Sequence, residues 1–255
     1  ILDIITNIDV HKEIPLQYSY LDGGATNYDN WVKWLETQEG ISNTLKGTIE
    51  LLRANTDAIK RLIGEGKKVN VIDLGVGNAR PVKELLERLI NWKILHRYIA
   101  VDISPSMISI AEHNLKNWFG DELPFESHVR DISFEHFDDL LVDDMLQKDA
   151  EKTVNLVLLL GATPVNFRSF DDVFRAIRGS MGGNDLLIYT DKPDTPAARQ
   201  YFALSSSPSE AGKLAPDDRF VLDLLGFDDS FYEGETAFDS EEKMRYIRAR
   251  LKVAV

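Results

Sequence analysis

The chain has 255 residues, 44% of them hydrophobic and 28% charged, which predicts one large domain or a domain with an elaboration. The absence of cysteine excludes a disulfide framework, a thiolate nucleophile and a cysteine-bound metal, and it is consistent with a cytoplasmic protein. The net charge of -13 disfavours nucleic acid and anionic lipid surfaces as partners, and the longest apolar run, at 154–161, is far short of the roughly 20 residues that span a bilayer.

Three regions that differ in composition and in the spacing of their apolar residues predict the domain organisation. Residues 1–66 show the apolar spacing of helices and predict a helical N-terminal lobe that ends near Gly64. Residues 67–191 alternate short apolar runs with amphipathic stretches, which predicts a ligand-binding core built on a parallel sheet covered by helices. Residues 192–255 begin with a stretch rich in Pro, Ser and Asp, up to 218, which predicts an insertion or lid before the C-terminal strands.

Five strand-sized apolar runs define the central region. They lie at 69–74, 98–103, 125–129, 154–160 and 186–190. Apolar residues recur with helical spacing from Val82 to Ile90, and Ser104 followed by Pro105 predicts the start of the next helix. A third helix is predicted from 170 to 181. The pattern predicts an α/β protein with a Rossmann-like, mostly parallel central sheet and helices on both faces.

The predicted elements after the sheet are a short helix at 220–225 and C-terminal strands, which we expect to be antiparallel. From 247 to 255 apolar residues alternate with basic ones, the period of a half-exposed strand. The chain stops inside this alternation, so we expect further residues in the native gene product.

The most informative segment, 71–79, is a predicted strand followed by a glycine turn and a helix. In an open α/β sheet, nucleotides bind at such a turn, where Gly75 and Gly77 would let the backbone approach a ligand closely. The dinucleotide pattern G-x-G-x-x-G fails at its last position, which is Arg80. Asp73 would repel a diphosphate but would attract S-adenosylmethionine (SAM), which carries a sulfonium and an ammonium. The segment therefore predicts a SAM site.

Further carboxylates follow the next two predicted strands. Asp102 is predicted to accept hydrogen bonds from the two ribose hydroxyls of SAM, and Asp131 from the exocyclic amine of its adenine. In the alternative interpretation, Asp73 and Asp102 only cap helices or face solvent in an ordinary α/β protein. The full predicted SAM-binding set is Asp73, Gly75, Gly77, Asn78, Asp102, Ile103, Met107, Asp131, Ile132, Gly161 and Thr163.

Together with this turn, three other segments resemble a known family. The stretch at 160–167 is similar to the Gly-Ser/Gly-Thr-Ile-Gly-Asn-Phe segment of the ergothioneine-pathway histidine-specific N-methyltransferases. Asp-Lys-Pro at 191–193 resembles that family's Asp-Leu-Val-Lys-Asp-Pro passage, and 20–25 with Tyr28 resembles its N-terminal Tyr-Asp-x-x-Gly-Ser-x-x-Phe element. The chain is thus similar to class I SAM-dependent methyltransferases and, more narrowly, to this histidine-specific family.

The resemblance implies site residues and an activity. It implies that Asn166 and Tyr20 hold a substrate amino acid near the methyl donor and that Tyr201 is a second substrate tyrosine. The family's Pro-x-Tyr-Tyr-Pro substrate segment has no counterpart at 39–44, where the sequence contains no tyrosine. The implied reaction is methyl transfer from SAM to a nitrogen of a small amino-acid-like substrate, with S-adenosylhomocysteine (SAH) as product.

Other interpretations remain open at this point. The chain could be a small-molecule O- or N-methyltransferase of another specificity, a SAM-binding module without transfer activity, or an oxidoreductase. Asn166 could be a loop-capping amide, and Tyr20 a half-buried aromatic of the lobe. The five histidines have no spacing typical of metal ligands, so no metal site is predicted. The acceptor, the number of methyl groups and the oligomeric state are not encoded in any recognisable pattern.

Overall fold

The computed structural model describes residues 2–21, 23–38, 44–141, 152–161, 163–167, 169–191, 195–196, 212–214, 216–239 and 244–252. The chain divides into two compact units. One unit is Pro15–Asp191, and the other combines Ile1–Ile14 with Lys192–Val255. The three-part division at 66 and 191 stays a prediction.

Five parallel strands form the sheet of the larger unit. Their bounds are β1 Lys68–Leu74, β2 Leu95–Asp102, β3 Phe125–Val129, β4 Thr153–Leu159 and β5 Leu186–Tyr189. The spatial order is β3-β2-β1-β4-β5, and every neighbouring pair is parallel. This is a doubly wound sheet, whose chain order reverses between β1 and β4. Each of the five predicted strands is confirmed, with small shifts at the ends.

Helices cover both faces of this sheet, as predicted. Their bounds are α4 Thr56–Ile63, α5 Lys83–Asn91, α6 Pro105–Phe119 and α7 Phe170–Ser180. Successive strand residues point to opposite faces, so Val71 packs in the layer that includes α4, α5 and α6, whereas Ile72 packs in the layer with α7. Asp73 shares the face of Val71, because the two residues are separated by one position.

The segment before the sheet is helical. It contains a 3-10 helix at Leu16–Tyr20, followed by α2 Gly23–Thr37 and α3 Thr44–Ala54. The buried side of α2 is formed by Ala25, Val32 and Leu35. Trp31 and Trp34 of the same helix are 47% and 51% exposed and so lie outside the core.

The described part of the smaller unit contains two helices and an antiparallel pair of strands. Its elements are α1 Leu2–His11, α8 Pro216–Leu224, β6 Tyr232–Asp239 and β7 Met244–Leu251. Tyr232 is fully buried and packs with Leu214 and Leu222. The predicted short helix begins earlier than expected, and the antiparallel C-terminal strands are confirmed. Most of the predicted insertion falls outside the described residues. Across the described ranges, no helix is long and apolar enough to cross a membrane.

Candidate functional site

The turn after β1 contains three residues with left-handed backbone. The φ angles are +69° at Gly75, +55° at Gly77 and +59° at Ala79. The two glycines adopt this conformation without the steric cost that a Cβ brings. The N–H groups of Gly75 and Val76 both donate to the carbonyl of Val101, at 2.8 and 3.1 Å, so the turn folds across the end of β2.

Both glycines lie under side chains from other elements. A Cβ on Gly75 would stand 2.4 Å from Cγ2 of Thr163, and one on Gly77 would stand 3.3 Å from Cε1 of Tyr28. Thr163 follows β4, and its hydroxyl donates to the carbonyl of Gly75 at 3.4 Å. The predicted SAM residues Gly75 and Thr163 therefore meet where β1 and β4 end, and Gly77 lies in the same turn against Tyr28 of α2.

Asp73 is a buried carboxylate at the end of β1. It is only 4% exposed, and its Oδ2 accepts a hydrogen bond of 2.6 Å from the hydroxyl of Tyr98. Burial raises the pKa of Asp73 to about 7. The hydrogen bond from Tyr98 lowers this pKa, and the charge of Asp102 raises it. The carboxyl group is thus poised between its neutral and charged forms near neutral pH.

Asp102 connects the glycine turn to the start of α6. Its Oδ2 accepts from the N–H of Gly77 at 3.1 Å, and its Oδ1 accepts from the N–H of Ser104 at 3.0 Å. Burial raises the pKa of Asp102 to about 6, opposed by hydrogen bonds from the backbone of Ser104, Gly77 and Ile103. Ser104 is the N-cap of α6, as predicted, and its hydroxyl accepts from the N–H of the buried Met107 at 3.2 Å.

The two buried carboxylates fit a cationic ligand. Among the described residues, neither Asp73 nor Asp102 forms an ion pair with a Lys or Arg side chain. A buried carboxylate without a counter-ion is costly, and an added cation would offset that cost. A pyrophosphate would add negative charge instead. The arrangement therefore fits SAM, whose sulfonium and ammonium are cations.

The amide of Asn166 and the hydroxyl of Tyr20 form a second pair near this turn. Nδ2 of Asn166 donates to the Tyr20 hydroxyl oxygen at 3.1 Å, although the residues are 146 positions apart. The carbonyl of Tyr20 accepts a 2.6 Å hydrogen bond from the Ser104 hydroxyl, beside Asp102. Burial raises the pKa of Tyr20, so its hydroxyl keeps its proton at neutral pH; the Asn166 hydrogen bond lowers this pKa and the charge of Asp102 raises it. Tyr201 lies outside the described residues.

Asp131 is hydrogen-bonded within the protein. Its Oδ1 accepts from the N–H and hydroxyl of Ser133 at 3.0 and 2.5 Å, and its Oδ2 accepts from the side chain of Gln17 at 3.3 Å. Ile132 is buried in the core layer that includes α7. The N–H of Gly161 donates to the Thr190 hydroxyl at 2.8 Å. The predicted contacts of Asp131, Ile132 and Gly161 with SAM remain predictions.

Asn78 is the centre of a clamp that joins three elements. Its Nδ2 donates to Oδ1 of Asp29 on α2 at 2.9 Å, and its carbonyl accepts from Nδ2 of Asn114 on α6 at 3.1 Å. Its Oδ1 accepts from the N–H of Arg80 at 3.3 Å, and the Arg80 side chain forms an ion pair with Glu36 of α2. Helix α2 thus holds the glycine turn, and the direct contact of Asn78 with SAM stays a prediction.

Four further residues support the site. Asp29, Tyr98 and Asn114 carry no sequence motif, and Tyr28 belongs to the family-like element near 20–25 without a predicted role. The ring of Tyr28 lies edge-to-face against Tyr20, with centroids 5.4 Å apart, and burial raises its pKa. Tyr98 could have been found from the period of two, because it lies four residues before Asp102 and therefore on the same face of β2. The contacts of Asp29 and Asn114 carry no sequence signal, since they join positions far apart in the chain.

The left-handed backbone of Ala79 predicts that replacing this alanine with glycine destabilises the protein less than the same replacement elsewhere in the core. A left-handed conformation costs a non-glycine residue about 1–2 kcal/mol, and Ala79→Gly removes this cost. Ala111 is a helical alanine that is equally buried. We expect Ala111→Gly to lower the free energy of unfolding by at least about 1 kcal/mol more than Ala79→Gly does. Urea denaturation measures both values. Equal losses in the two variants would contradict the prediction.

Several solved structures are similar to this chain. The DhpI-SAM-HEP complex is 15% identical over 88% of this chain and 91% of that chain, with a TM-score of 0.38. Magnesium protoporphyrin IX methyltransferase from Synechocystis PCC 6803 with bound SAH is 14% identical over 92% and 98%, with a TM-score of 0.44. The rRNA methyltransferase aviRa from Streptomyces viridochromogenes is 14% identical over 64% and 81%, with a TM-score of 0.35. Similarities this distant do not indicate a substrate.

A family match is more extensive. No curated protein matches the chain significantly. A family model described as "Histidine-specific methyltransferase, SAM-dependent" matches residues 3–198. This range includes the glycine turn, Asp73, Asp102 and the pair of Tyr20 and Asn166, and it confirms the resemblance inferred from the sequence. Since the match covers well over half of the chain, the protein belongs to the SAM-dependent histidine-specific methyltransferase family.

Proposed function

We propose that this enzyme transfers a methyl group from SAM to a nitrogen of a small amino-acid-like acceptor. One observation carries the proposal: Asp73 and Asp102, two buried carboxylates that have no counter-ion among the described residues, lie at the glycine turn beside the hydrogen-bonded pair of Tyr20 and Asn166. The carboxylates suit the cations of SAM, and the amide and hydroxyl suit an amine. We further propose a cytoplasmic enzyme with a small-molecule substrate and no nucleic-acid partner.

The residues around the glycine turn would bind the methyl donor. SAM, when bound, supplies an electrophilic methyl group on a cationic sulfur. Asp73 would balance one cation of SAM, and Asp102 would accept hydrogen bonds from its ribose hydroxyls through lone pairs that Gly77 and Ser104 leave available. Gly75 and Gly77 would let the backbone lie against the ligand.

The pair of Tyr20 and Asn166 would bind the acceptor. An attacking amine must first lose the proton of its ammonium form. The hydroxyl oxygen of Tyr20 accepts from Asn166 and has a second lone pair for an N–H of the acceptor. This contact would direct the nitrogen lone pair away from Tyr20. Holding reactants about 3–3.5 Å apart and aligned contributes roughly 7–11 kcal/mol, so positioning can supply much of the catalysis.

A second candidate keeps SAM but changes the acceptor. The sequence at 39–44 lacks the tyrosines of the family's Pro-x-Tyr-Tyr-Pro segment, which favours a small-molecule O- or N-methyltransferase of another specificity. Residues 39–43 lie outside the described residues. Incubation with SAM and panels of amino acids, other amines and phenols separates the candidates, because mass spectrometry identifies the methylated product. No product from any panel would favour a SAM-binding module without transfer activity.

Substitution of Asn166 tests the acceptor half of the site. Asn166→Ala removes the amide that orients Tyr20, and we expect kcat/KM for the acceptor to fall roughly a hundredfold, the effect of a small misplacement of reactants. The Kd for SAM is expected to stay within about twofold, because Asn166 touches neither carboxylate in the described structure. Steady-state kinetics and calorimetry measure these quantities.

Asn117→Ala is the matched control for Asn166→Ala. Asn117 is an exposed amide on α6, and its Nδ2 lies 2.9 Å from Nε2 of its helical neighbour His113. Its replacement is expected to change neither value. Normal turnover in Asn166→Ala, or an equal loss of SAM binding and turnover, would contradict the assigned role.

A further inference from the structure

Tyr98 is a buried tyrosine whose hydroxyl lies on the proposed SAM-binding carboxylate. It is fully buried in β2, in the apolar layer that contains Val71 and Ala100. Its ring stacks on Phe125 of β3, with centroids 6.1 Å apart and planes inclined by 23°. The strand backbone and this stacking fix the ring, so the hydroxyl has little freedom to leave Oδ2 of Asp73, 2.6 Å away.

The hydroxyl is the polar support of the Asp73 side chain. Within the described part of the chain, no other residue donates a hydrogen bond to that carboxylate, and the charge that acts on its pKa is that of the like-charged Asp102. A short hydrogen bond to an ionised acceptor is stronger than one between neutral groups. It stabilises the charged form of Asp73 in surroundings that otherwise favour the neutral form. The bond to Oδ2 also leaves Oδ1 for a ligand.

We infer that Tyr98 is a positioning residue for SAM: its hydroxyl favours the ionised form of the Asp73 carboxylate and orients it so that the second oxygen can meet a cation of the methyl donor. This inference rests on the proposed function, in which Asp73 binds SAM. Tyr98 acts through Asp73 and does not itself contact the ligand. Its contribution should therefore depend on pH, unlike that of a residue that only fills the core.

The expected pH dependence follows from the groups that face Asp73. Among the described residues, these are Tyr98 and Asp102 from β2 and Tyr28 from α2, whose hydroxyl stays neutral. Burial raises the pKa of Asp73 to about 7, and the Tyr98 hydrogen bond keeps it from rising further. In Tyr98→Phe this pKa rises, so the carboxyl group is neutral over a wider pH range. SAM binding should then need a higher pH.

The experiment is calorimetric titration of SAM into wild type and Tyr98→Phe from about pH 6 to pH 9. Expressing each Kd as a ratio to wild type cancels the titration of SAM itself. For a rise of one pKa unit, affinity falls roughly tenfold below about pH 7 and returns to within about twofold near pH 9. A ratio that stays constant across this range, or stays at one, would overturn the inference.

Three further variants make the result specific. Tyr232→Phe is the matched control, because Tyr232 is also buried and donates to a carboxylate, that of Asp229, in the other unit. It should leave the pH profile unchanged. Asp73→Asn should weaken binding at every pH, and Tyr98→Phe should add nothing in that background, as a double-mutant cycle measures.

The variants also distinguish failure of this inference from failure of the SAM site on which it rests. If Asp73→Asn weakens SAM binding but Tyr98→Phe matches wild type at every pH, the inference fails and the proposed function stands. If Asp73→Asn binds SAM as wild type does, the SAM-binding role that the proposed function gives to Asp73 fails, and the inference fails with it. Thermal melts of each variant report folding. If the single variant Tyr98→Phe does not fold but the double variant Tyr98→Phe/Asp73→Asn does, the result would still indicate that Tyr98 supports the charge on Asp73.

Discussion

Asp73→Asn is expected to weaken SAM binding by roughly 30- to 700-fold, equivalent to about 2–4 kcal/mol, the usual cost of losing one buried charged partner. Asparagine keeps the shape of the side chain and an oxygen that can accept from Tyr98, so the main change is the loss of negative charge. Calorimetry measures the Kd. Asp171→Asn, at an exposed position on α7, is the control and should bind SAM normally. An unchanged Kd for Asp73→Asn would contradict the charge-matching interpretation of the turn.

The same carboxylates predict a pH dependence of stability. Their ordinary pKa is 3.8, and burial raises it to about 7 at Asp73 and about 6 at Asp102. At a pH between the ordinary pKa and the raised one, the folded protein binds more protons than the unfolded chain. The contribution of these two groups to the free energy of unfolding therefore falls as pH rises from about 4 to about 7.

The stabilisation that bound SAM provides depends on pH in the opposite direction, because the cations of SAM require ionised carboxylates. We expect the rise in Tm caused by SAM to grow between about pH 5.5 and pH 8, and Asp73→Asn to remove most of that growth. Thermal melts with and without SAM across this range measure the effect. A Tm shift that shrinks with rising pH would show that the sign of the linkage is wrong.

Gly75→Val is expected to abolish measurable SAM binding and to lower the free energy of unfolding. A side chain at φ +69° costs about 1–2 kcal/mol in backbone strain, and its Cβ would also stand 2.4 Å from Cγ2 of Thr163. The turn must shift to relieve this contact, and the residues that would hold SAM shift with it. Calorimetry and urea denaturation measure the two effects.

Two variants separate strain from collision at Gly75. Gly66 has a similar φ of +72° with nothing within 4 Å of a built Cβ, so Gly66→Val reports the strain alone. Thr163→Ser removes Cγ2 and keeps the hydroxyl, and it should restore part of the stability of Gly75→Ala. Equal stability losses in Gly66→Val and Gly75→Val, or no rescue by Thr163→Ser, would contradict the predicted collision.

The sheet and the glycine turn could be predicted from the sequence because both depend on local patterns. Strands buried on both faces appear as continuous apolar runs, and a positive φ after β1 calls for glycine at 75 and 77. Asp73 and Asp102 were both predicted to bind SAM because each lies at the end of a predicted strand, beside the turn where nucleotides bind. In the structure both carboxylates are buried at the ends of β1 and β2.

The period of two places Tyr98 on the face of Asp102, but the contacts that support the turn could not be predicted, since they join distant positions of the chain. The hydrogen bond from Tyr98 to Asp73 requires the register of β1 on β2, which shifts between Val69 and Asn70. The contact between Asn78 and Asp29 requires the packing of α2. The grouping of the first 14 residues with the C-terminal region likewise has no counterpart in hydrophobic periodicity.

Helix α2 has a consequence for protein engineering. Its consecutive residues Tyr28 and Asp29 rest on Gly77 and Asn78, while the 3-10 helix just before it ends in Tyr20, the proposed acceptor residue. A graft of 16–37 from a relative, made to obtain a new substrate range, would replace both sets of contacts at once. Libraries that randomise this stretch should therefore keep 28 and 29 fixed, or they will select for recovered coenzyme affinity instead of altered acceptor choice.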